Sequence, residues 1–224
     1  MHSFEETVTR LAFPPSEPTP APAAQSLAEG VALSRMYGMT ITPADVARLL
    51  SRAKVRYVLV GAHAINLYTG KPRATRDVDV ITNAPAKARR ALQQAYPHLD
   101  VEDHPVVIRF KEQGREVVDL IKAGSGKLFR KVLGLGVQLN LDGETVLVAT
   151  AEAAVALKFC SMINPARPRN DRLQDAVDFS RAAGLQDKLD RSLLRQLGEL
   201  VYAGGGDAVL KLLDDARAGR PLEL

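Results

Sequence analysis

Two aspartates stand two residues apart in the run Arg76-Asp77-Val78-Asp79-Val80-Ile81. On a strand, a period of two puts the Asp77 and Asp79 carboxylates on one face and leaves Val78 and Val80 to pack on the other. Two like charges that close repel unless something positive lies between them. A hard divalent cation with oxygen ligands is the natural solution. A third carboxylate, Asp119, sits in Glu116-Val117-Val118-Asp119-Leu120-Ile121. Aspartate is unfavourable among buried apolar strand residues, and a metal shared with Asp77 and Asp79 would account for it. An Asp-x-Asp pair or a lone strand aspartate is common by itself; the ordered set is what points to a site.

The elements that must position these carboxylates are legible around them. Residues 55–60 form a β-branched, apolar run ending at Gly61, and a short helix is expected over 62–68. A strand that ends in glycine and opens a helix presents backbone N–H groups to an anion, and the helix dipole adds to the attraction. Gly70-Lys71-Pro72-Arg73 breaks that helix, and 77–82 is the next strand. A helix to about residue 95 follows. Then come a hairpin of 106–111 with 116–122 about Glu112-Gln113-Gly114-Arg115, a short helix over 128–133, and a hairpin of 137–141 with 145–148 about Asp142-Gly143. Ahead of these, Thr42-Pro43 is an N-cap with a first-turn proline, opening a helix to about residue 53. From Thr150 onward the pattern is helical, with helices expected near 151–163, 171–183, 190–202 and 206–217.

The organisation expected is therefore α/β: a mixed sheet with flanking helices over 39–149, then a helical domain over 150–224. Residues 1–38, with Phe13-Pro14-Pro15-Ser16-Glu17-Pro18-Thr19-Pro20-Ala21-Pro22 at their centre, are expected to be a disordered, proline-rich tail dispensable for folding.

The stretch 58–81 resembles the nucleotidyltransferase (polymerase beta-like) superfamily, close to AbiEii-toxin-like bacterial proteins and their uncharacterised relatives. The residues that carry the likeness are the turn at Gly61 and Pro72, Arg73, Thr75, Asp77 and Asp79. Weaker likeness continues through Ala156-Leu157-Lys158 and Gln174-Asp175-Ala176-Val177-Asp178, so it spans about 44–182. The resemblance implies a nucleotidyltransferase fold and transfer of a nucleoside monophosphate from an NTP to an acceptor hydroxyl. It implies two Mg²⁺ ions bridged by Asp77 and Asp79, with Asp119 on the catalytic ion alone. Nucleotide contacts would fall to Gly61, Ala62, His63, Arg73, Thr75 and Lys158. For Arg73 and Lys158, phosphate binding and salt bridges that position the aspartates are both open. The acceptors it suggests are tRNA or another RNA, and the partners include an antitoxin or other protein. Ala62 departs from the family's Gly or Ser, removing a hydroxyl from the triphosphate site. His63 either replaces it or caps the helix, and capping is the favoured role. The alternative is a catalytically inert nucleotide- or partner-binding protein of a toxin–antitoxin-type system on the same fold.

The net charge of +4 suits an anionic ligand without requiring one. Cys160 is the one cysteine, so no intramolecular disulfide can form, and it is expected to pack as a small apolar residue. No apolar run is long enough to span a bilayer and no signal peptide opens the chain, so the expected location is cytoplasmic. Gly124-Ser125-Gly126-Lys127 lacks the spacing of a phosphate loop. His98 and His104 lack metal-ligand spacing and are expected at the surface.

Overall fold

The computed structural model describes residues 21–185 and 189–222. The chain begins with α1 (Ala21–Met36) and α2 (Pro43–Arg52), and enters the sheet through β1 (Tyr57–Leu59). It continues with α3 (Gly61–Tyr68), β2 (Val78–Thr82), α4 (Pro85–Ala95), β3 (Asp100–Asp103), β4 (Val107–Glu112) and β5 (Arg115–Lys122). A single 3-10 turn, α5 (Lys127–Val132), β6 (Gly136–Leu141) and β7 (Glu144–Ala149) complete the sheet. Four helices close the chain: α6 (Ala151–Met162), α7 (Arg169–Leu185), α8 (Arg191–Glu199) and α9 (Gly205–Arg217).

The seven strands lie in the order β3-β4-β5-β2-β1-β7-β6. The sheet is mixed: β2 runs parallel to β5 and β1 parallel to β7, while the remaining neighbours are antiparallel. This is the α/β architecture with a following helical segment that the patterning calls for. Its two sequence-predicted hairpins turn on Gln113-Gly114 and Asp142-Gly143, all four with positive φ. That backbone matches the right-handed twist of the strands it joins. Thr42 caps α2 in a reciprocal box: its Oγ1 accepts from the Asp45 N–H, and Asp45 Oδ2 accepts from the Thr42 N–H, each at 3.1 Å. The buried apolar residues of the sheet and the closing helices belong to one cluster, from Leu27 in α1 to Leu213 in α9.

Two elements differ from the sequence expectation. The first is the tail. Its residues 1–20 lie outside the described residues, but from Ala21 onward it is helix α1. Leu27, Val31 and Ser34 fall at helical spacing and are all buried. Pro22 falls in the first turn, where a missing N–H costs nothing. Gly30 lets α1 approach α3 closely, because a Cβ there would stand 2.3 Å from Asn66 Nδ2. Residues 21–36 thus form a helix with one buried face where a disordered tail was expected. The second is β3, an edge strand whose Asp100-Val101-Glu102-Asp103 sequence offers no apolar alternation. Its side chains are held from outside, by Lys111 Nζ to Glu102 Oε1 and Lys122 Nζ to Asp103 Oδ1, both 2.6 Å.

Candidate active site

The parallel register of β2 and β5 sets Asp79 directly opposite Asp119. Asp77 lies one residue before β2, on the loop that links it to α3. Asp79 packs over the N-terminus of α3, and only glycine can sit beneath it: a Cβ on Gly61 would be 1.9 Å from Asp79 Oδ2, and Gly61 has φ +63. Tight backbone approach and left-handed geometry both demand glycine there.

The loop that carries Asp77 is held by α1 and α3. Asn66, buried in α3, accepts from the Arg73 N–H at 3.0 Å and donates Nδ2–H to the Arg73 carbonyl at 2.8 Å. Ser34 of α1 donates to the Gly30 carbonyl at 2.7 Å and accepts from the Thr75 N–H at 3.0 Å. The Thr75 hydroxyl in turn donates to Asp77 Oδ1. A chain of hydrogen bonds therefore runs from a helix in the presumed tail to a carboxylate of the site.

The carboxylates are costly as anions. Burial pushes the Asp79 carboxyl well above the usual range, and Asp77 and Asp119 add repulsion that Lys158 and Arg167 only partly offset. Asp119 is raised to about 6, first by burial, with Glu116 and Asp77 adding to it and Arg109 opposing. Arg109 Nε donates to Asp119 Oδ2 at 3.3 Å, its Nη1 pairs with Glu116 Oε1 at 2.9 Å, and Asp119 Oδ1 is buried with no partner.

The cations beside them are already spoken for. Arg73 forks onto Asp178, with Nε to Oδ1 at 2.9 Å and Nη2 to Oδ2 at 2.8 Å. Lys158 Nζ lies 2.8 Å from Asp175 Oδ1 and 2.7 Å from Asp178 Oδ2. Arg167 Nε lies 3.0 Å from Asp175 Oδ2. Asp175 and Asp178 are one helical turn apart on α7 and both are buried, so α7 is pinned to the Asp77 loop and to α6 through opposite charges. Burial works against the charge on Lys158, yet Asp178 and Asp175 hold its pKa above the usual value.

Two adjoining cavities open over the carboxylates. One of about 670 Å³ is lined by Ala62, Arg73, Thr75, Asp77, Asp79, Asp119 and Lys158, together with Arg109, Glu116, Arg167 and Gln174. A smaller one of about 280 Å³ shares Asp79, Asp119 and Lys158, adds Gly61, and is walled by Val60, Val107, Ile121, Phe129, Leu157 and Cys160. Eight of the nine sequence-predicted site residues thus meet at these cavities. His63 does not line either. It is buried beside Asp77, and α3 has no side-chain cap, which corrects its favoured capping role. Burial lowers its pKa to about 4, with Asp77 opposing, so the ring is neutral near pH 7. Arg109, Glu116 and Arg167 line the cavity without having been expected there from sequence, and Asp175 and Asp178, quoted above only for a weak family likeness, pair with its cations. The i, i+3 spacing of Asp175 and Asp178 on a helix is the signal that marks these two as acting together. Cys160 sits at the cavity wall with its thiol pKa raised by burial, as suits a packing residue. His98 and His104 are exposed.

The donor set suits a hard divalent cation. Asp119 Oδ1 is an orphaned buried acceptor, and a cation would relieve the repulsion that raises Asp79 and Asp119. Among the described residues no three such side chains stand together in ligating positions; Thr75 holds Asp77 Oδ1 and Arg109 holds Asp119 Oδ2. Among those residues also, no helix is long and apolar enough to cross a membrane.

No protein-family model matches the chain, and no curated protein matches it in sequence. Solved structures that resemble it include an antigenic nucleotidyltransferase-like protein from Paracoccidioides brasiliensis, 15% identical over 88% of this chain and 94% of that one, with a TM-score of 0.45. The Megavirus polyadenylate synthase is 10% identical over 72% of this chain and 36% of that one, TM-score 0.42. ANT(2")-Ia in complex with adenylyl-2"-tobramycin is 12% identical over 78% and 94%, TM-score 0.40. These neighbours are nucleotidyltransferases or nucleotidyltransferase-like; likeness this distant does not carry an activity from one chain to another.

Proposed function

We propose that this chain transfers a nucleoside monophosphate from an NTP to an acceptor hydroxyl and releases pyrophosphate, with Asp77, Asp79 and Asp119 holding two Mg²⁺ ions. The observation that carries the proposal is the in-register pair Asp79 and Asp119 on parallel neighbouring strands, with Asp77 beside them at the same cavity. Bound there, the ions would neutralise triphosphate charge and lower the pKa of the acceptor hydroxyl. The acceptor oxygen bonds to the α-phosphorus, its proton passes to solvent, and the bond to pyrophosphate breaks. Gly61 and the amides that follow it face the phosphates from the start of α3; Ala62 contributes backbone only. Because Asp175 and Asp178 already neutralise Arg73 and Lys158, those two cations serve chiefly to hold α7 against the Asp77 loop. Arg167 is paired with Asp175 too, but it is the most exposed of the four paired cations on the cavity wall and so the most open to a phosphate.

Without metal the carboxylates repel NTP, so affinity should rise with Mg²⁺ and Asp77→Asn should weaken that dependence. Radiolabelled NTP with Mg²⁺ and RNA should label the RNA, and Asp119→Asn should abolish labelling while largely sparing NTP binding. NTP affinity indifferent to metal would sink the proposal. A second reading, an inert nucleotide- or antitoxin-binding protein, is favoured by Ala62 and by the neutralised Lys158. NTP binding without transfer to any hydroxyl would select it.

A further inference from the structure

The end of the sheet remote from the carboxylates has a different electrostatic character. There β1 begins while β2 and β5 finish, so Arg56, Asn83 and Ala123 are neighbours. The segments around the start of β1 and the ends of β2 and β5, residues 46–60, 80–99 and 120–134, contain no aspartate or glutamate; β7, parallel to β1, also begins at this end, and its Glu144 pairs with Arg48 at 3.8 Å. A recess of about 390 Å³ opens here, lined by Arg56, Asn83, Gly124 and Arg130. A second, of about 540 Å³, is lined by Arg89, Arg90 and Lys122, with Asp103 as its one acid.

Six exposed cations lie on the segments that form these recesses, Lys54, Lys87, Arg90, Lys127, Arg130 and Lys131, with Arg90 and Arg130 in the linings. None makes an ion pair or side-chain hydrogen bond with another described residue. The contrast with the rest of the molecule is sharp. At the carboxylate site Arg73, Arg109, Lys158 and Arg167 are all paired, and at the edge of this face Lys122 and Arg89 share Asp103. A solvated surface ordinarily intersperses both signs; a set of unpaired like charges whose nearest acids, Asp103 and Glu144, already have partners raises the energy of the free protein and is relieved by a polyanion.

We infer that this face binds the phosphate backbone of single-stranded RNA and that, on the nucleotidyl-transfer reading, the acceptor is a polynucleotide and not a small alcohol. The distance fits an anchor separate from the reacting end. From Asp77 to Asn83 the extended chain covers about 20 Å at roughly 3.3 Å per residue, a span of several nucleotides. Backbone contacts of this kind position a strand without reading its sequence.

The test uses the full chain and a fluorescein-labelled oligouridylate, with anisotropy followed across a salt series. Affinity should fall with salt, each phosphate contact contributing about −0.7 to the slope of log K against log salt. Lys87→Glu with Arg90→Glu, and separately Arg130→Glu with Lys131→Glu, should each weaken binding about tenfold or more and flatten the slope by about 1.4. Both pairs are exposed, so their Tm and Mg²⁺-dependent NTP affinity should match those of the parent chain. Asp79→Asn should lose transfer and keep RNA affinity, so failure of transfer and failure of RNA binding are read apart. Equal RNA binding by parent and charge-reversed chains overturns the inference. So does binding of poly-glutamate but not RNA by the parent, lost on charge reversal, which would assign the face to an acidic protein.

Discussion

Replacing Asp119 by asparagine tests whether the site spends stability to hold its charge. Burial raises the Asp119 carboxyl from 3.8 to about 6 in the folded chain. An acid whose folded pKa is raised costs nothing below its unfolded value. The cost grows as pH rises from about 3.8 to about 6 and is constant above. A shift of about two units is worth about 3 kcal/mol at 1.36 kcal/mol per unit. Asparagine removes that cost but weakens the 3.3 Å contact with Arg109, a loss of about 1 kcal/mol that Glu116 cushions. The net gain is about 2 kcal/mol, or about 4–8 °C in Tm for a chain of this size. Thermal unfolding in a chelator should therefore show Asp119→Asn more stable than the parent at pH 8, with most of the gain gone at pH 4. Adding Mg²⁺ should reverse the order, because only the intact carboxylate set gains from the ion. A variant less stable than the parent at both pH values would show that Asp119 is a structural partner of Arg109, and would refute the account of an anion held in readiness for a cation.

Ser34→Ala deprives the Thr75 N–H of its acceptor and should cost about 1–2 kcal/mol in urea unfolding while weakening Mg²⁺-dependent NTP binding, which Ser34→Thr should largely restore. A chain starting at Met39 should lose more, because Leu27 and Val31 each bury an apolar side chain worth about 1.5–3 kcal/mol; equal Tm with and without α1 would contradict this packing. Gly61→Ala must displace Asp79 and adopt φ +63, so it should cost at least about 1–2 kcal/mol and abolish Mg²⁺-dependent NTP binding in calorimetry. Asp178→Ala leaves Arg73 without its fork and Lys158 with Asp175 alone, and should cost about 3–5 kcal/mol by denaturant titration; a loss below 1 kcal/mol would mean that the buried cluster contributes little.

The chain's own pattern determined the parts of this molecule that depend on neighbours in sequence. Gly61 after a β-branched run, Asp77 and Asp79 at a period of two, Asp119 among apolar residues, and the glycine turns of both hairpins are local signals. Each was legible because backbone geometry and side-chain alternation act over a few residues. Helix α1 was hidden by the prolines before it, although Leu27, Val31 and Ser34 keep helical spacing; its stability comes from α3, which lies some forty residues on. Strand β3 was hidden because an edge strand of acids is specified by Lys111 and Lys122 across the sheet, not by its own residues. The fate of Arg73 and Lys158 is the clearest case. Both phosphate binding and salt bridging were open to them in sequence, and the salt bridges they form come from Asp178, 105 residues from Arg73, brought within 2.8 Å by the docking of α7. Charge pairing depends on distance in space, which falls steeply in effect beyond a few ångströms, and only the packed fold sets that distance.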